Sequence, residues 1–261
     1  MLLTKKNKDK KNEKEKILQR YIYSKPYTFF KPQYNSIIPL KIFQTWHTKD
    51  LPPKMRERVE ILKRQNPRFE HFLYDDNDCR ELIQNNFRNE ILESYDKLIP
   101  GAYKADLWRL CVLYVYGGIY MDIKFVCVNG FKLIELTEHN HFIRDRPKPL
   151  SIYNGMMACE KNHPFLMMAI NNIVHNVKNN YYGSTPLDPT GPVMLGNLIL
   201  NNKLKLNIDL NHYQDGGYII YKNRFVISTE YPEYNSERSS TYNSINTKRY
   251  DILWNERNIY K

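Results

Sequence analysis

The 261-residue sequence is long enough for one large domain with a full core, and its 42% apolar and 13% aromatic content argues against disorder along most of its length. Its net charge of +11 would suit a nucleic acid or an anionic membrane, but residues 1–25 hold nine Lys and Arg against three acids and carry +6 of it. No apolar run of 18 residues occurs, so we expect neither a signal peptide nor a membrane span and predict a cytoplasmic protein.

The predicted elements begin after a charged lead. Residues 1–30 are rich in Lys, Glu and Asn, which predicts a basic tail that is flexible or helical. Strands and helices then alternate, and the order favours a mostly parallel sheet covered by helices. The four elements are a strand at residues 40–46, a helix from Pro52-Pro53 to residue 65, a strand at 69–74 and a helix at 77–85 capped by Asp75-Asp76.

The next segment predicts a ligand site. A helix is expected at residues 102–116, where the Gly117-Gly118 pair ends it, and a strand at 119–121 delivers Asp122 at its carboxyl end. Open α/β sheets bind ligands at that end of their strands. Further strands are predicted at residues 142–143 and 151–159 and further helices at 164–179 and 192–201, whereas the last sixty residues give no firm prediction.

Asp106 and Arg109 are three residues apart on the predicted helix and are therefore neighbours. One interpretation is a solvent-facing ion pair, which would contribute little. The other is that they bind the hydroxyls of a sugar, with Arg109 as donor and Asp106 as acceptor.

Asp122 could hold a divalent cation, because such ions prefer oxygen ligands. Residues 122 and 124 of an extended segment would point to the same side, but the second position is Lys124 rather than an acid. Either the ammonium turns away and Asp122 holds the metal, or Lys124 itself supplies positive charge to a leaving phosphate.

The cysteines and histidines do not predict a metal-binding site. The four cysteines show no close metal-type pairing and are expected to be reduced structural thiols. Four histidines lack zinc-type spacing and are expected to be structural or solvent-exposed: His47, His71, His163 and His212.

Several ordered motifs carry a family resemblance. They are residues 38–46 (IPLKIFQTW), Asn66-Pro67 before Tyr74-Asp75-Asp76, residues 105–109 (ADLWR), residues 116–122 (YGGIYMD), 152–155 (IYNG), 162–164 (NHP) and 190–192 (TGP). Together they resemble family 32 glycosyltransferases, the DXD sugar-binding-region family, which includes α-mannosyltransferases and is similar to the large clostridial glucosylating toxins in its donor site. The Lys-, Asn- and Tyr-rich style resembles versions from giant viruses, for which the location would be host cytoplasm or virion.

The resemblance implies an α/β fold of GT-A type, Rossmann-like, with a mixed, mostly parallel sheet flanked by helices in a single catalytic domain. It also implies a nucleotide-sugar donor, UDP-sugar favoured over GDP-mannose, and transfer with retention to a hydroxyl of a glycan or glycoprotein. Asp106, Arg109 and Asp122 would be the catalytic residues, with Asp122 also the metal ligand. The implied donor-binding residues are Gln44, Thr45, Trp46, Tyr103, Gly117, Gly118, Tyr120, Lys124, Asn154, Gly191 and Trp254.

Two points stay open at this stage. Trp46 either stacks on the base or packs in the core. The Mn²⁺ or Mg²⁺ that the resemblance implies is in question, because Lys124 replaces the second acid and no histidine precedes Trp254.

We therefore predict a tail at residues 1–30 and a glycosyltransferase domain at 31–261, with a donor-binding half at about 37–130 and an acceptor-side half at about 131–261. One alternative is a protein of the same fold that binds nucleotide sugars or glycans without turnover. Another is a basic nucleic-acid-binding protein, although nucleic acid is not the partner we expect.

Overall fold

The computed structural model describes residues 31–147 and 150–261, so the predicted tail at residues 1–30 lies outside the described residues. Within the described part, nine strands join in one sheet. They are β1 (Lys41–Thr45), β2 (Glu70–Tyr74), β3 (Gly118–Met121), β4 (Val126–Cys127), β5 (His141–Pro147), β6 (Leu150–Cys159), β7 (Leu210–Tyr213), β8 (Tyr218–Tyr221) and β9 (Arg224–Ser228).

Helices pack around this sheet. They are α1 (Pro53–Gln65), α2 (Asp76–Asn86), α3 (Asn89–Lys97), α4 (Gly101–Tyr116), α5 (Pro164–Lys178), α6 (Pro192–Asn201), α7 (Tyr234–Ser244) and α8 (Tyr250–Asn255), with short 3₁₀ turns at Leu133–Leu136 and Gln214–Gly216. Every strand and helix predicted up to residue 201 is confirmed at its position. The short helix α3, which begins without a side-chain cap, and the two-residue strand β4 were not predicted.

The sheet order is β2-β1-β3-β6-β5-β7-β8-β9-β4. Parallel pairing joins β1 to β2, β1 to β3 and β5 to β7, and the other neighbours among the described strands are antiparallel. The predicted α/β architecture with a mixed sheet flanked by helices is therefore confirmed. The strand-helix order predicted parallel pairing, and this is found where β1 pairs with β2 and with β3. Most of the later strands pair antiparallel with their neighbours.

Two apolar clusters cover the two faces of the sheet. Phe43 and Tyr120 pack with residues of α2, α3, α4, α5 and α6 in one cluster. Ile42 and Ile119, one position earlier in each strand, pack with Leu62 of α1 in the other. This alternation is the two-residue period of a strand buried on both faces, and it holds β1 and β3 rigidly in the middle of the fold.

The junction between α4 and β3 fixes where the chain delivers Asp122. Gly117 has φ +62°, and its N–H donates to Leu113 O at 2.8 Å, which ends the helix. A Cβ at this glycine would lie 2.7 Å from Lys161 N, so a side chain does not fit there.

The prediction for the cysteines is confirmed. All four cysteines are buried and unpaired, as expected for structural thiols. Across residues 31–147 and 150–261, none of the helices has the length and apolar character needed to span a membrane.

Candidate functional site

The site lies at the edge where the parallel strands β1, β2 and β3 end. Because parallel strands place their carboxyl ends at one edge, Trp46, Asp76 and Asp122 come together there from three parts of the chain. Two adjoining cavities open at this edge, a smaller one of about 120 Å³ and a larger one of about 340 Å³. Arg109 and Asp122 line both cavities and form the boundary between them.

Asp106 and Arg109 are buried, so the interpretation as a solvent-facing ion pair is wrong. Their side chains are 11% and 7% exposed, and Arg109 Nη2 lies 3.3 Å from Asp106 Oδ1. Asn154 and Thr190 supply further hydrogen-bond partners for the pair. Asn154 Nδ2 donates to Asp106 Oδ1 at 2.9 Å, Thr190 Oγ1 donates to Asp106 Oδ2 at 2.7 Å, and Arg109 Nη1 donates to Asn154 O at 2.6 Å.

These contacts define the buried network of Asp106, Arg109, Asn154 and Thr190. Burial raises the pKa of Asp106 to about 6, against the lowering effects of Arg109 and of the bond from Thr190. Burial opposes the charge on Arg109, but Tyr120, Asp106 and Asp122 outweigh it and raise the pKa of Arg109. The guanidinium is therefore a fixed positive charge at the floor of both cavities.

Asp122 is held from three sides. Tyr120 OH donates to Asp122 Oδ1 at 2.8 Å, and Arg109 Nη2 lies 3.8 Å from the same oxygen. The Asp122 N–H donates to Gly155 O at 2.8 Å, and a Cβ on Gly155 would lie 3.0 Å from Asp122 Oδ2. The absence of a side chain at residue 155 thus leaves room for the carboxylate, whose side chain is 29% exposed and faces both cavities.

The segment after Asp122 is a turn, so the prediction of an extended segment through residues 122 and 124 is wrong. The Phe125 N–H donates to Asp122 O at 3.0 Å, which closes the turn. Lys124 lines the larger cavity with Asp122, and its Nζ lies 4.4 Å from the centroid of the Tyr234 ring. Burial lowers the pKa of Lys124, the charge of Arg238 acts in the same direction, and Asp122 opposes both.

Several other residues of the predicted donor site line the two cavities. Thr45, Trp46 and Tyr120 line the smaller cavity. The larger one is lined by Tyr103, Asn154 and Gly191, in addition to Lys124.

Trp46 packs in the core and also lines the smaller cavity. It is 9% exposed, and its ring stacks on Tyr242 at 6.5 Å between centroids while it packs with Met55 and Ile123. Among the described residues its Nε1 has no hydrogen-bond partner. Core packing therefore holds the ring at the cavity wall.

Four residues of the predicted donor site lie outside both cavities. Gln44 is fully buried and bridges His71 to the backbone of Asp122, donating from Nε2 to Asp122 O at 3.2 Å. Gly117 and Gly118 lie where β3 begins, the opposite end of the strand from Asp122. Trp254 donates from Nε1 to Tyr182 O at 2.7 Å and packs on the core.

The sequence did not identify the wall that α7 forms. Tyr234, Arg238 and Tyr242 line the larger cavity, and their spacing of four residues places them on one helix face. That spacing was the available signal in a region rich in Tyr, Asn and Ser.

Residues 145–214 contribute a second unpredicted group to the larger cavity. His212 Nδ1 lies 3.0 Å from Asp145 Oδ1, and its ring stacks on Tyr153 at 3.7 Å. Burial opposes ionisation of Asp145, but the hydrogen bonds from His212 and Gln214 outweigh it and lower the pKa of Asp145. His212 is thus a partnered residue of the cavity wall.

The side chains at this edge do not fit a divalent cation held by protein ligands. Within the part of the chain that the structure describes, no three His, Cys, Asp or Glu side chains come together as metal ligands. In the DXD-like segment at residues 122–124, Asp122 is the one carboxylate, and it lines both cavities. Arg109 and Lys124 place positive charge beside it. A divalent cation would be repelled by these two groups.

Residues 52–143 match the family model described as a glycosyltransferase sugar-binding region containing a DXD motif. The resemblance recognised from the sequence motifs is therefore confirmed over this region, which contains the Asp106–Arg109 pair and the turn that begins at Asp122.

Two curated relatives extend the match. The chain is 32% identical over 162 residues to inositol phosphoceramide mannosyltransferase 3 of Schizosaccharomyces pombe, covering 62% of this chain and 44% of the relative. It is 31% identical over 138 residues to an uncharacterized glycosyltransferase of Acanthamoeba polyphaga mimivirus, covering 49% and 52%. The chain thus spans about half the length of the curated relatives it matches.

Among solved structures, the PaToxG glycosyltransferase is 19% identical with a TM-score of 0.49, covering 63% of this chain and 70% of that one.

Proposed function

We propose, from the glycosyltransferase family match of residues 52–143, that this chain transfers a sugar from a nucleotide-sugar donor to an acceptor hydroxyl with retention of configuration. The observation that carries the proposal is the buried network. The Arg109 guanidinium lies at the boundary of the two adjoining cavities and the Asp106 carboxylate lines the larger one, and contacts with Asn154 and Thr190 fix both groups. Such a preorganised pair suits a sugar with several hydroxyls, since Arg109 can only donate and Asp106 accepts.

In the proposed reaction the bond between the sugar C1 and the diphosphate oxygen breaks as the acceptor oxygen bonds to C1. The acceptor proton passes to an oxygen of the departing diphosphate, so that no protein nucleophile is needed. Arg109 would orient the sugar and stabilise negative charge as it develops, because its position is already fixed before the donor binds. Asp122 would orient the donor at the boundary between the cavities.

We propose the nucleotide and the acceptor from the sequence. A UDP-sugar is our first donor candidate and a glycan or protein hydroxyl our first acceptor. The mannosyltransferase name of the Schizosaccharomyces pombe relative supports GDP-mannose as the second donor candidate and an inositol phosphate lipid as the second acceptor. A cytoplasmic location and a giant-virus origin also remain predictions from the sequence.

The test is release of UDP or GDP from a panel of nucleotide sugars by the purified chain, with Asp122→Asn as the central variant. We expect Asp122→Asn to lower turnover by about 100-fold or more, because it removes a preorganised charge at the reacting centre. Asp50→Asn is the matched control, since Asp50 is 90% exposed and pairs with the exposed Arg56. Equal turnover by Asp122→Asn and the unmodified chain would contradict the assignment of this site.

A further inference from the structure

Two cations line the larger cavity beside the same tyrosine ring. Lys124 lies in the turn after β3, and Arg238 lies on α7. Lys124 Nζ and Arg238 Cζ are 4.4 Å and 5.2 Å from the centroid of the same Tyr234 ring. No carboxylate of residues 31–147 or 150–261 comes within ion-pair distance of either group. We call these two residues the cation pair.

The other charged groups of this cavity are matched. Arg249 Nε lies 3.1 Å from Asp251 Oδ1. Asp145 accepts from Gln214 at 2.7 Å and pairs with His212. Arg109 pairs with both Asp106 and Asp122, while Asp122 and Glu230 act on Lys124 from beyond ion-pair distance and oppose the lowering of its pKa by burial. Among the described residues, the cation pair therefore places two positive charges at the cavity without a carboxylate in direct contact.

The cation pair also has unused hydrogen-bonding capacity. Arg238 Nη2 donates to Asn235 Oδ1 at 2.9 Å, but its Nε is buried and has no partner among the described residues. The ammonium of Lys124 makes no hydrogen bond within the same part of the chain. A buried donor without a partner costs free energy, and more so when it is charged. A bound anion would satisfy both groups.

The position of Arg238 is built into the fold. The carboxylate of its neighbour Glu237 accepts from the backbone N–H groups of Lys54 and Met55 at 2.8 Å and 3.0 Å, which caps the first turn of α1. Tyr231 OH also donates to Glu237 at 2.7 Å. These contacts tie α7 to α1 and hold Arg238 at the cavity without a ligand.

We infer that Lys124 and Arg238 form a diphosphate site that works without a divalent cation, with the two side chains supplying the positive charge. The inference rests on the proposed function, which provides a nucleoside diphosphate as the ligand. It follows from the chemistry of residues 122–124. A site for a divalent cation would have a second acid at position 124, but the residue there is Lys124, and Arg109 also lies beside Asp122. An ammonium and a guanidinium both bind phosphate oxygens, the first as a point charge and the second as a fork of donors.

The test measures binding of UDP, GDP, uridine and guanosine to the full chain by calorimetry, in EDTA and in Mn²⁺. We expect one nucleoside diphosphate to bind with the same affinity, within about threefold, in both buffers. Lys124→Gln and Arg238→Gln should each weaken that binding by about 10-fold to 100-fold, since each removes a charged hydrogen-bond donor. Lys203→Gln and Arg64→Gln are the matched controls, because both residues are exposed and neither lines the cavity.

The outcomes separate the inference from the function. Binding of UDP or GDP that requires Mn²⁺ and disappears in EDTA would overturn the inference and leave the proposed function in place. Unchanged affinity in the Lys124→Gln and Arg238→Gln variants would also overturn it. If the folded chain binds neither diphosphate in either buffer, both the inference and the proposed function fail. The comparison of buffers uses the unmodified chain, so it decides the question even if a variant does not fold.

Discussion

The buried network and the cation pair both place charge at the larger cavity, but they differ in how that charge is matched. In the network, Arg109 has Asp106 at 3.3 Å and the carbonyl of Asn154 at 2.6 Å. In the cation pair, Lys124 and Arg238 line the cavity, and among the described residues no carboxylate lies within ion-pair distance of either. Matched buried charges define a fixed wall, whereas unmatched ones leave binding capacity for a ligand. Removing a charge should therefore cost stability in the buried network, whereas in the cation pair it should weaken ligand binding and change stability little.

The largest expected effect is the loss of stability when a charge is removed from the buried network. Arg109→Met should lower the free energy of unfolding by about 3–5 kcal/mol, because removing one member of a buried pair leaves the other charge uncompensated. Urea denaturation at neutral pH measures it. Arg56→Met is the matched control: Arg56 pairs with Asp50 at 2.7 Å, but their side chains are 60% and 90% exposed. Loss of such an exposed pair should cost about 0–1 kcal/mol. Equal losses in the two variants would mean that the network is not a structural wall.

The second prediction uses the titration of Asp106. Burial raises the pKa of Asp106 to about 6 from 3.8, so the folded protein binds more protons than the unfolded chain between these two values. The contribution of this group to stability is therefore full below about pH 4 and is lost as the pH rises through 6. Relative to Asp106→Asn, which does not titrate, the unmodified chain should lose on the order of 3 kcal/mol across this window, at about 1.4 kcal/mol per pKa unit. A difference between the two proteins that is flat from pH 4 to 7 would contradict the assigned pKa.

The sequence predicted Asp106, Arg109 and Asn154 as site residues, but it predicted neither their burial nor the contact of Thr190 with Asp106. Asp106 and Arg109 were recognised as neighbours because residues three apart share a helix face. Their partners Asn154 and Thr190 follow 45 and 81 residues after Arg109, and only the folded sheet brings them within 3 Å of the pair. Helix periodicity contains no information about such distant partners, so the choice between a solvent-facing and a buried pair needed the structure.

The cation pair was half predictable. Lys124 stood out because it replaces an acid next to Asp122, and its role as a source of charge was one of two alternatives. Arg238 was missed because α7 is a weakly amphipathic helix in a region without apolar periodicity, with Thr241 as its buried residue. Its placement depends on Glu237, which caps a helix 183 residues earlier in the chain. A contact of that separation has no local signal, although the spacing of Tyr234, Arg238 and Tyr242 was visible.

The smallest expected effect is the most informative about the cation pair. Lys124→Met should change the free energy of unfolding by less than about 1 kcal/mol. The variant loses the cation–π contact with Tyr234, a cost of about 0.5–1 kcal/mol. It gains by removing an unmatched, partly buried charge beside Arg238, while the apolar stem is retained.

Lys132→Met is the matched control for this prediction. Lys132 is also half-buried, but its Nζ donates to Gln65 O at 2.8 Å, so its replacement should cost about 0.5–1.5 kcal/mol. Thermal unfolding of the two variants side by side measures the difference. A destabilisation by Lys124→Met larger than that of Lys132→Met would mean that Lys124 is a structural lysine. A neutral effect on stability combined with weaker binding of a nucleoside diphosphate is the behaviour of a charge that the fold holds for its ligand.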